Sequence, residues 1–435
     1  MTLLYSRQID IRHRPDVLVV GGGPAGCAAA WAASKCGARV FLAEGQHCLG
    51  GLGTAGMVPA YMQFGDGVND LSAGFGSALF GRLKELGEKL GQPQLRYEIR
   101  AENLKRVSEE MLREAGVAFA FHTQLIDVIA ADGMIEAAVF AAKSGLFAVK
   151  AAVYVDCTGD GDLCAWAGNP FALGDENGNV MASTLCQLWA NIDWSRVTGP
   201  ESRELDRAIA DGVFPTPDKH LPGMWKISES GIGGGNIGHV YGVDGTDERS
   251  VTEGLVCGRK LTENYLRYYR DYLSGFEKME LVATGSLLGI RESRRITGRE
   301  TMLLEHFRSR AVFANEIGRY AYPVDIHAAA PTPEAFEKFH EEHTTLRCAR
   351  GESYGIPYGA LVPKNLDNAL VAGRCLSADR AMQSSVRVMP GCYITGQAAG
   401  AAAALAAARG KRPWELDAKE IQRQLVALGA YLPNA

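Results

Sequence analysis

A glycine-rich turn between two apolar segments constrains the fold of this chain more than any other feature of its sequence. Residues 16–20 read D-V-L-V-V, which predicts a short buried strand, and the turn G-G-G-P-A-G follows directly. An alanine-rich segment then runs to Gly37, the residue type expected just past the end of a helix. A strand, a glycine turn and a helix in this order begin a βαβ unit, and they predict an α/β fold with a parallel sheet.

The spacing of the glycines assigns a role to each of them. Gly21 permits a tight turn, Gly23 lets a pyrophosphate approach the backbone, and Gly26 lets the helix pack closely on the strand. A second predicted strand ends at Glu44, 18 residues after Gly26, where a carboxylate can accept hydrogen bonds from a ribose. The sequence therefore predicts a dinucleotide-binding site near the N-terminus.

A second occurrence of the same glycine spacing provides an internal control. Gly233, Gly235 and Gly238 have the spacing of a dinucleotide turn. However, the residues before them do not resemble a buried strand, and those after them do not resemble a helix. We therefore interpret this segment as a flexible loop without a dinucleotide.

Several longer sequence words extend over nearly the whole chain. They are V-V-G-G-G-P-A-G, E-G-Q-H-C-L-G-G-L-G-T-A-G, D-C-T-G-D-G-D, G-I-R-E-S-R-R-I-T-G, A-Y-P-V-D-I-H, I-P-Y-G-A-L-V-P, V-A-G-R-C-L-S-A and S-V-R-V-M-P-G-C-Y-I-T-G-Q-A-A-G. Together they resemble the words of FAD-dependent oxidoreductases, a family that includes heterodisulfide-reductase-A-like and thiazole-synthase-like flavoproteins. The resemblance implies that the bound dinucleotide is FAD.

Rossmann-like signals at both ends of the chain enclose a block with loops and weak periodicity. The block contains one predicted helix over residues 252–276, with Thr252 as its N-cap. We predict an α/β fold in which a Rossmann-type, glutathione-reductase-like FAD-binding domain is assembled from separate segments, with an inserted α+β substrate domain. The FAD-binding domain would comprise residues 12–56, 100–168 and 355–435, and the substrate or cap domain residues 57–99 and 169–354.

Small residues and strand ends supply the other predicted cofactor contacts. The loop over residues 50–56 can lie flat against an isoalloxazine ring, and strand ends at residues 158–160 and 373–374 fall where ligands of this fold bind. The final helix would direct its N-terminal dipole at the flavin. As the resemblance implies, Leu125 and Ile126 would contribute main-chain contacts to the adenine. The full predicted set is Gly21, Gly23, Pro24, Ala25, Gly26, Glu44, Gln46, Gly50, Gly51, Thr54, Ala55, Gly56, Leu125, Ile126, Thr158, Gly159, Asp160, Gly373, Arg374, Arg387 and Gly396.

Candidate catalytic residues are less clearly marked by the sequence. Arg291 and Arg294, with Arg295, form a basic cluster that could clamp a carboxylate or phosphate, or could form a structural ion-pair network. The other candidates are residues that could act as acids, bases or hydrogen-bond donors, or could simply be packed in the structure: His327, His239 and Tyr358.

The cysteines could contribute a redox-active thiol or metal ligands. Cys392 begins the last predicted helix, where the helix field lowers a thiol pKa, although a small packed residue is the simpler interpretation. The ten cysteines are scattered without a C-x-x-C pair, so we predict no metal site. The net charge of −5 does not predict nucleic-acid binding, and the lack of a long apolar run does not predict a membrane span. We therefore expect a cytoplasmic protein.

The leading functional prediction is an FAD-dependent oxidoreductase that transfers a hydride between flavin and a small organic substrate. The substrate would be anionic if the arginine cluster faces the cleft. An alternative is a flavin-carrying electron-transfer subunit of a larger redox complex, and a third is a sulfur-transfer or thiazole-type biosynthetic protein. The sequence contains no second strand–glycine–helix–acid unit for NAD(P)H, so the redox partner stays open at this point. Formation of a homo-oligomer is possible and also stays open.

Overall fold

The computed structural model describes residues 3–4, 6–218 and 223–435. In chain order the strands are β1 Ile11–His13, β2 Val17–Val20, β3 Val40–Ala43, β4 Ala118–Ala120, β5 Gln124–Ala131, β6 Met134–Ala142, β7 Gly145–Val149, β8 Val153–Asp156, β9 Phe171–Leu173, β10 Gln187–Ala190, β11 Met224–Lys226, β12 Gly233–Gly235, β13 Glu280–Thr284, β14 Arg294–Ile296, β15 Glu316–Tyr320, β16 Tyr354–Pro357 and β17 Ala369–Val371. The helices are α1 Pro24–Lys35, α2 Phe75–Lys89, α3 Ala101–Glu114, α4 Asp162–Trp166, α5 Leu205–Ala210, α6 Glu248–Tyr272, α7 Leu304–Arg308, α8 Pro333–Thr345, α9 Arg380–Val386, α10 Met389–Arg409 and α11 Ala418–Ala427. Within this described part of the chain, no helix is both long and apolar enough to cross a membrane.

A parallel sheet with the strand order β17-β8-β2-β3-β4 lies at the centre of the molecule. Every residue of β2, β3, β8 and β17 is buried, as expected for the continuous apolar runs of a sheet covered on both faces. The sheet brings together strands from both ends of the chain, and their carboxyl ends share one edge. The predicted α/β fold with a segmented Rossmann-type domain is confirmed.

The two faces of this sheet carry different layers. Val17 and Val19 pack against the small-residue helices α1 and α10 on one face. Leu18 and Val20 point to the other face, where they pack against an antiparallel layer formed by β5, β6 and β7. This alternation follows from the strand period of two residues and makes β2 the centre of both cores.

Helices α1 and α10 approach each other unusually closely because glycines leave room for backbone atoms. A Cβ added at Gly396 would lie 2.1 Å from the carbonyl oxygen of Ala25, and one at Gly400 would lie 2.0 Å from the carbonyl oxygen of Ala29. Both distances are far below van der Waals contact. The small residues of α10 therefore fix the separation of the two helices.

The middle of the chain is more regular than its sequence pattern predicted. An antiparallel sheet of order β11-β12-β10-β13 packs with α6 around an aromatic cluster that includes Trp189 and Tyr269. Helix α6 begins earlier than predicted, at Asp247, whose carboxylate accepts hydrogen bonds from two backbone amides. Thr252 lies inside the helix, where its hydroxyl donates to the Glu248 carbonyl. The predicted Thr252 cap is therefore wrong.

The second glycine segment is a buried strand, although its sequence predicted a flexible loop. β12 pairs with both β10 and β11, so it lies inside the antiparallel sheet. A Cβ added at Gly234 would lie 2.4 Å from Cβ of Pro59, and one at Gly235 would lie 2.4 Å from Oε1 of Gln187. Glycine is required here for close packing, and three glycines in a row show no side-chain periodicity from which a strand could be predicted.

The predicted division into two domains stays a prediction, and α2 bears on it. This helix lies within residues 57–99, which we assigned to the cap. Its residues Phe75 and Leu79 nevertheless pack in the same core as α1 and α10. Residues 169–354 supply the antiparallel sheet and α6, and we refer to this segment below as the insert.

The close contact between α1 and α10 yields a stability prediction. Gly400→Ala should lower the free energy of unfolding by about 1–3 kcal/mol, because the added methyl group overlaps a backbone carbonyl. The matched substitution Gly81→Ala in α2 should instead raise it by about 0.5–1 kcal/mol, since a Cβ there meets open space among the described residues. Urea denaturation of the FAD-saturated proteins measures both values, and equal effects of the two substitutions would contradict this account of α10.

Candidate active site

A cleft of ≈ 340 Å³ lies at the carboxyl edge of the central sheet. This is the edge at which open parallel sheets bind ligands. Leu287, Leu288 and Ile290 of the insert line the opposite side of the cleft. The predicted cofactor residues that line it are Gly21, Gly23, Pro24, Ala25, Glu44, Gln46, Gly51, Leu125, Thr158, Gly159, Asp160, Gly373, Arg374 and Arg387.

The three glycines of the first turn have different structural reasons to be glycine. Gly21 adopts φ +95°, and a Cβ there would lie 2.4 Å from the carbonyl oxygen of Cys157. A Cβ at Gly26 would lie 1.8 Å from the carbonyl oxygen of Gly21. At Gly23, in contrast, the nearest described atom is Cα of Gly51, 4.0 Å away. Gly21 and Gly26 are thus needed by the fold, whereas Gly23 leaves an open cradle that fits a pyrophosphate.

Two helix N-termini meet at this cleft. Helix α1 starts at Pro24 behind the N-cap Gly23, and α10 starts at Met389 behind the N-cap Val388. In the described part of the chain neither end has a side-chain cap, so backbone N–H donors and partial positive charge are directed at the cleft. The Nε atom of Arg387, which lines the cleft, is buried and has no hydrogen-bond partner among the described residues. This surplus of donors suits the phosphates and flavin ring of FAD.

Glu44 is buried at the end of β3, where the sequence predicted a ribose ligand. Its carboxylate accepts hydrogen bonds from the backbone amides of Gly22 and Gln46, the latter at 2.7 Å. Burial raises the pKa of Glu44, and these amides oppose that rise by stabilising the carboxylate. Glu44 therefore lies in the cleft wall beside the first glycine turn.

Arg374 joins three segments of the chain at the floor of the cleft. Its Nη2 atom lies 2.6 Å from Oδ1 of Asp160, and its Nε donates to the carbonyl of Gly159 at 2.8 Å. Its Nη1 donates to the carbonyl of Ile290 in the insert at 2.6 Å. Bidentate and multiple donation of this kind is characteristic of arginine. The predicted residues at the ends of β8 and β17 are thus brought together and tied to the insert.

Most residues of the predicted loop 50–56 lie behind the wall of the cleft and do not line it. Gly51 lies against Gly23, whereas the Thr54 hydroxyl donates to the Leu49 carbonyl at 2.6 Å. The Ala55 carbonyl accepts hydrogen bonds from the amides of residues 286 and 287 of the insert. Ile126 is 42% exposed on β5. The predicted cofactor residues outside the cleft lining are Gly26, Gly50, Thr54, Ala55, Gly56, Ile126 and Gly396.

The predicted arginine cluster is divided among separate partners. Arg294 forms a 2.6 Å ion pair with Asp162, and Arg295 forms a 2.5 Å ion pair with Glu292. Burial and nearby carboxylates raise the pKa of Asp162 to about 6, although Arg294 opposes this rise. Arg291 donates to the carbonyl of residue 182 at 2.7 Å and is buried. These contacts favour the structural alternative for Arg294 and Arg295.

The two candidate histidines lie side by side, although they are far apart in the sequence. His239 Nε2 and His327 Nδ1 are 3.1 Å apart, and His239 Nδ1 lies 2.8 Å from Oδ2 of Asp218. His327 Nε2 lies 3.4 Å from Oδ1 of Asp325, which in turn accepts a 3.1 Å hydrogen bond from Arg387. A continuous polar path therefore runs from the cleft-lining Arg387 to Asp218. No sequence pattern indicated this pairing.

Tyr358 and Cys392 both occupy packed positions, which was one of the two interpretations given for each. The Tyr358 hydroxyl is buried and donates to the Pro413 carbonyl at 2.9 Å, outside the lining of the cleft. Cys392 does line the cleft, and its thiol donates to the Arg387 carbonyl at 3.0 Å. Burial raises the pKa of the Cys392 thiol to about 12. Desolvation thus acts against the lowering of the pKa by the helix field, which favours the interpretation of Cys392 as a small packed residue.

The sequence reasoning missed the lining residues that come from the insert and from the strand ends beside it. Ile290, Asp162 and Met389 stand in the words G-I-R-E-S-R-R-I-T-G, D-C-T-G-D-G-D and S-V-R-V-M-P-G-C, and this placement was the available signal for them. The other missed residues lie in loops or at the first turn or residue of an element, where periodicity gives no signal. They include Gly245, Val251, Leu287, Leu288, Thr123 and Gln124.

The open cradle at Gly23 yields a binding prediction. Gly23→Val should abolish FAD binding while the protein remains folded, because the added side chain fills the cleft and contacts little else. Gly235→Val, in the other glycine segment, should retain FAD although it disturbs packing around Gln187. The measurements are FAD content after gel filtration and the far-UV circular dichroism spectrum. Loss of FAD from Gly235→Val together with retention by Gly23→Val would reverse the assignment.

Comparisons with known proteins agree with this geometry. A family model described as FAD dependent oxidoreductase matches residues 16–425. Thiamine thiazole synthase of Aeropyrum pernix is 55% identical over 38 residues, which cover 9% of this chain and only 14% of that protein.

Solved structures align over most of the chain at low identity. One is a geranylgeranyl bacteriochlorophyll reductase-like protein from Thermoplasma acidophilum, with a TM-score of 0.45, 12% identity, and coverage of 96% of this chain and 84% of that chain. Another is the flavin-dependent brominase Bmp2, with a TM-score of 0.49, 14% identity, and coverage of 95% and 83%. Because the family model matches nearly the whole chain, this protein belongs to the FAD-dependent oxidoreductase family, and its cofactor is FAD.

Proposed function

We propose that this protein transfers a hydride between FAD and a small organic substrate that binds between the cleft and the insert. The observation that carries the proposal is the composition of the cleft. One side is formed by the FAD-binding strand ends, and the other by apolar residues of the insert. An enclosed space of this kind excludes water and positions a substrate beside the cofactor.

The residues of the cleft divide the work of holding FAD. The amides at the start of α1 would hold the pyrophosphate, and Glu44 would hold the adenosine ribose. The partial positive charge at the start of α10 would stabilise negative charge on the flavin ring. FAD, when bound, supplies the capacity to accept or donate a hydride, and the protein supplies orientation and electrostatics.

Positive charge near the cleft favours an anionic substrate. Arg387 lines the cleft, and buried Arg291 is close enough that Arg387 contributes to lowering its pKa. Burial is the largest cause of that shift, which brings the pKa of Arg291 to about 10 and leaves the guanidinium charged at neutral pH. Asp325 is the nearby carboxylate that both arginines share. A carboxylate or phosphate on the substrate would meet the guanidinium group of Arg387 in the cleft, with the charge of buried Arg291 behind it.

A substrate screen without a protein partner tests the proposed function. The purified protein should be yellow, with one non-covalent FAD per chain that acid precipitation releases. Under anaerobic conditions, at least one small organic anion from a metabolite panel should bleach the flavin absorbance, and a dye should then restore it. Bleaching only in the presence of a protein partner would instead support the electron-transfer subunit.

Substitution of Arg387, which lines the cleft, and of Arg294, which does not, gives a sharper prediction. Arg387→Met should lower kcat/KM about tenfold or more for the bleaching substrate, which corresponds to a loss of about 1.4 kcal/mol in transition-state stabilisation. Its rate should also depend less on added salt than the wild-type rate, since a charge that attracts the substrate is lost.

Arg294→Met is the matched control, because Arg294 pairs with Asp162, whereas Arg387 pairs with Asp325, and because Arg294 itself does not line the cleft. We expect it to lower the melting temperature, since Asp162 loses its partner, and to change kcat/KM less than about threefold, or roughly 0.7 kcal/mol. If Arg294→Met impaired kcat/KM and Arg387→Met did not, the anion site would have to be placed at Arg294.

A further inference from the structure

A buried chain of polar groups extends from the cleft into the insert. It runs from Arg387 through Asp325, His327 and His239 to Asp218, with contacts of 3.1, 3.4, 3.1 and 2.8 Å in that order. All but the first are at most 7% exposed as whole residues. The described contacts among these polar groups therefore lie in surroundings of low polarity, where the location of each proton strongly affects the energy.

The number of protons shared among these polar groups follows from the chemistry of their side chains. The contacts Asp218–His239, His239–His327 and His327–Asp325 each need one proton to be a hydrogen bond. Two neutral imidazoles bring two protons for these three contacts. Burial lowers the pKa of His239 and of His327, and Arg291 lowers that of His327 further, so both rings are neutral at pH 7. The two histidines can thus accept one additional proton for which a hydrogen-bonding position already exists.

The charges around the histidines come from several elements. Asp218 and Asp325 favour a protonated ring, whereas Arg291 opposes it, and Arg387 helps to keep Asp325 ionised. The phenol of Tyr241 donates to Asp218 at 2.8 Å, and Tyr322 donates to Asp325 at 3.4 Å. The Phe339 ring of α8 packs on His327, and Tyr265 of α6 lies near Asp218. A negative charge added in the cleft would favour protonation of these rings, because it acts in the same direction as the two carboxylates and against the guanidinium groups.

We infer that His239 and His327 act as a proton reserve for the cleft, taking up one proton when two electrons enter and releasing it when they leave. The electrons come from the substrate or a chemical reductant and reside on FAD. The proton comes from solvent, forms one N–H bond on the imidazole pair, and requires no bond in the protein to break. Arg387 couples the two events, because it borders the cleft and binds Asp325. His239 and His327 are positioning residues in this scheme, since they act through Arg387 and Asp325.

The inference rests on the proposed redox function of the cleft, so its test uses electrons that need no substrate. The reduction potential of the FAD-loaded protein is measured spectroelectrochemically from pH 6 to pH 9, and the slope gives the protons taken up per two electrons. We expect His327→Gln to take up one proton fewer than the wild type over part of this range. His340→Gln, at an exposed position on α8, should match the wild type. An unchanged proton count in His327→Gln would overturn the inference.

A measurement on the wild type keeps the test valid if His327→Gln does not fold. In protein with ¹⁵N-labelled histidine, reduction should convert one buried ring from the neutral to the doubly protonated form at pH 7. Tyr241→Phe, which removes only one hydroxyl next to Asp218, should retain this conversion but move it to a different pH. If every histidine ring kept its protonation state on reduction, the inference would be wrong. If the histidines took up a proton on reduction but no substrate in the screen bleached the flavin, the inference about the histidines would be supported. That result would count only against the proposed hydride transfer.

Discussion

The close approach of α1 and α10 is the contact on which the rest of this structure depends. Gly396 and Gly400 let two helices of small residues lie so near each other that their backbones touch. Both helices run away from the same edge of the central sheet, and both begin there with a proline in the first turn. Their N-termini consequently direct partial positive charge into one cleft. Packing of glycine and alanine at one side of the sheet thus determines the electrostatics of the FAD site.

Much of the cleft lining at the first glycine turn was predictable because its information is local. Gly21, Gly23 and Gly26 follow an apolar strand and precede a helix, and Glu44 ends the next strand, so spacing alone gives their geometry. The glycine strand β12 shows the limit of this reasoning. It has the same spacing, but its burial depends on strands and on Pro59, which are distant in the chain. Local patterns contain no information about such partners.

The polar chain behind the cleft was not predictable for a related reason. His239 and His327 are 88 residues apart, and neither has a neighbour in sequence that indicates the other. The arginines of residues 291–295 were recognisable as a cluster, but their division among Asp162, Glu292 and backbone carbonyls depends on tertiary contacts. Desolvated guanidinium groups need nearby acceptors, and which acceptor each one finds is decided by the fold.

The order of strands in the central sheet has a consequence for how the protein acquires its cofactor. β2 lies beside β8, and β8 lies beside β17, so neighbours in the sheet come from distant parts of the chain. Pairing between such distant segments makes the sheet slow to form, and during synthesis β17 and α10 leave the ribosome long after α1. The apolar face of α1 stays exposed until α10 packs against it. Because α10 also contributes Met389 and Cys392 to the cleft, the cleft is complete only after this late step of folding.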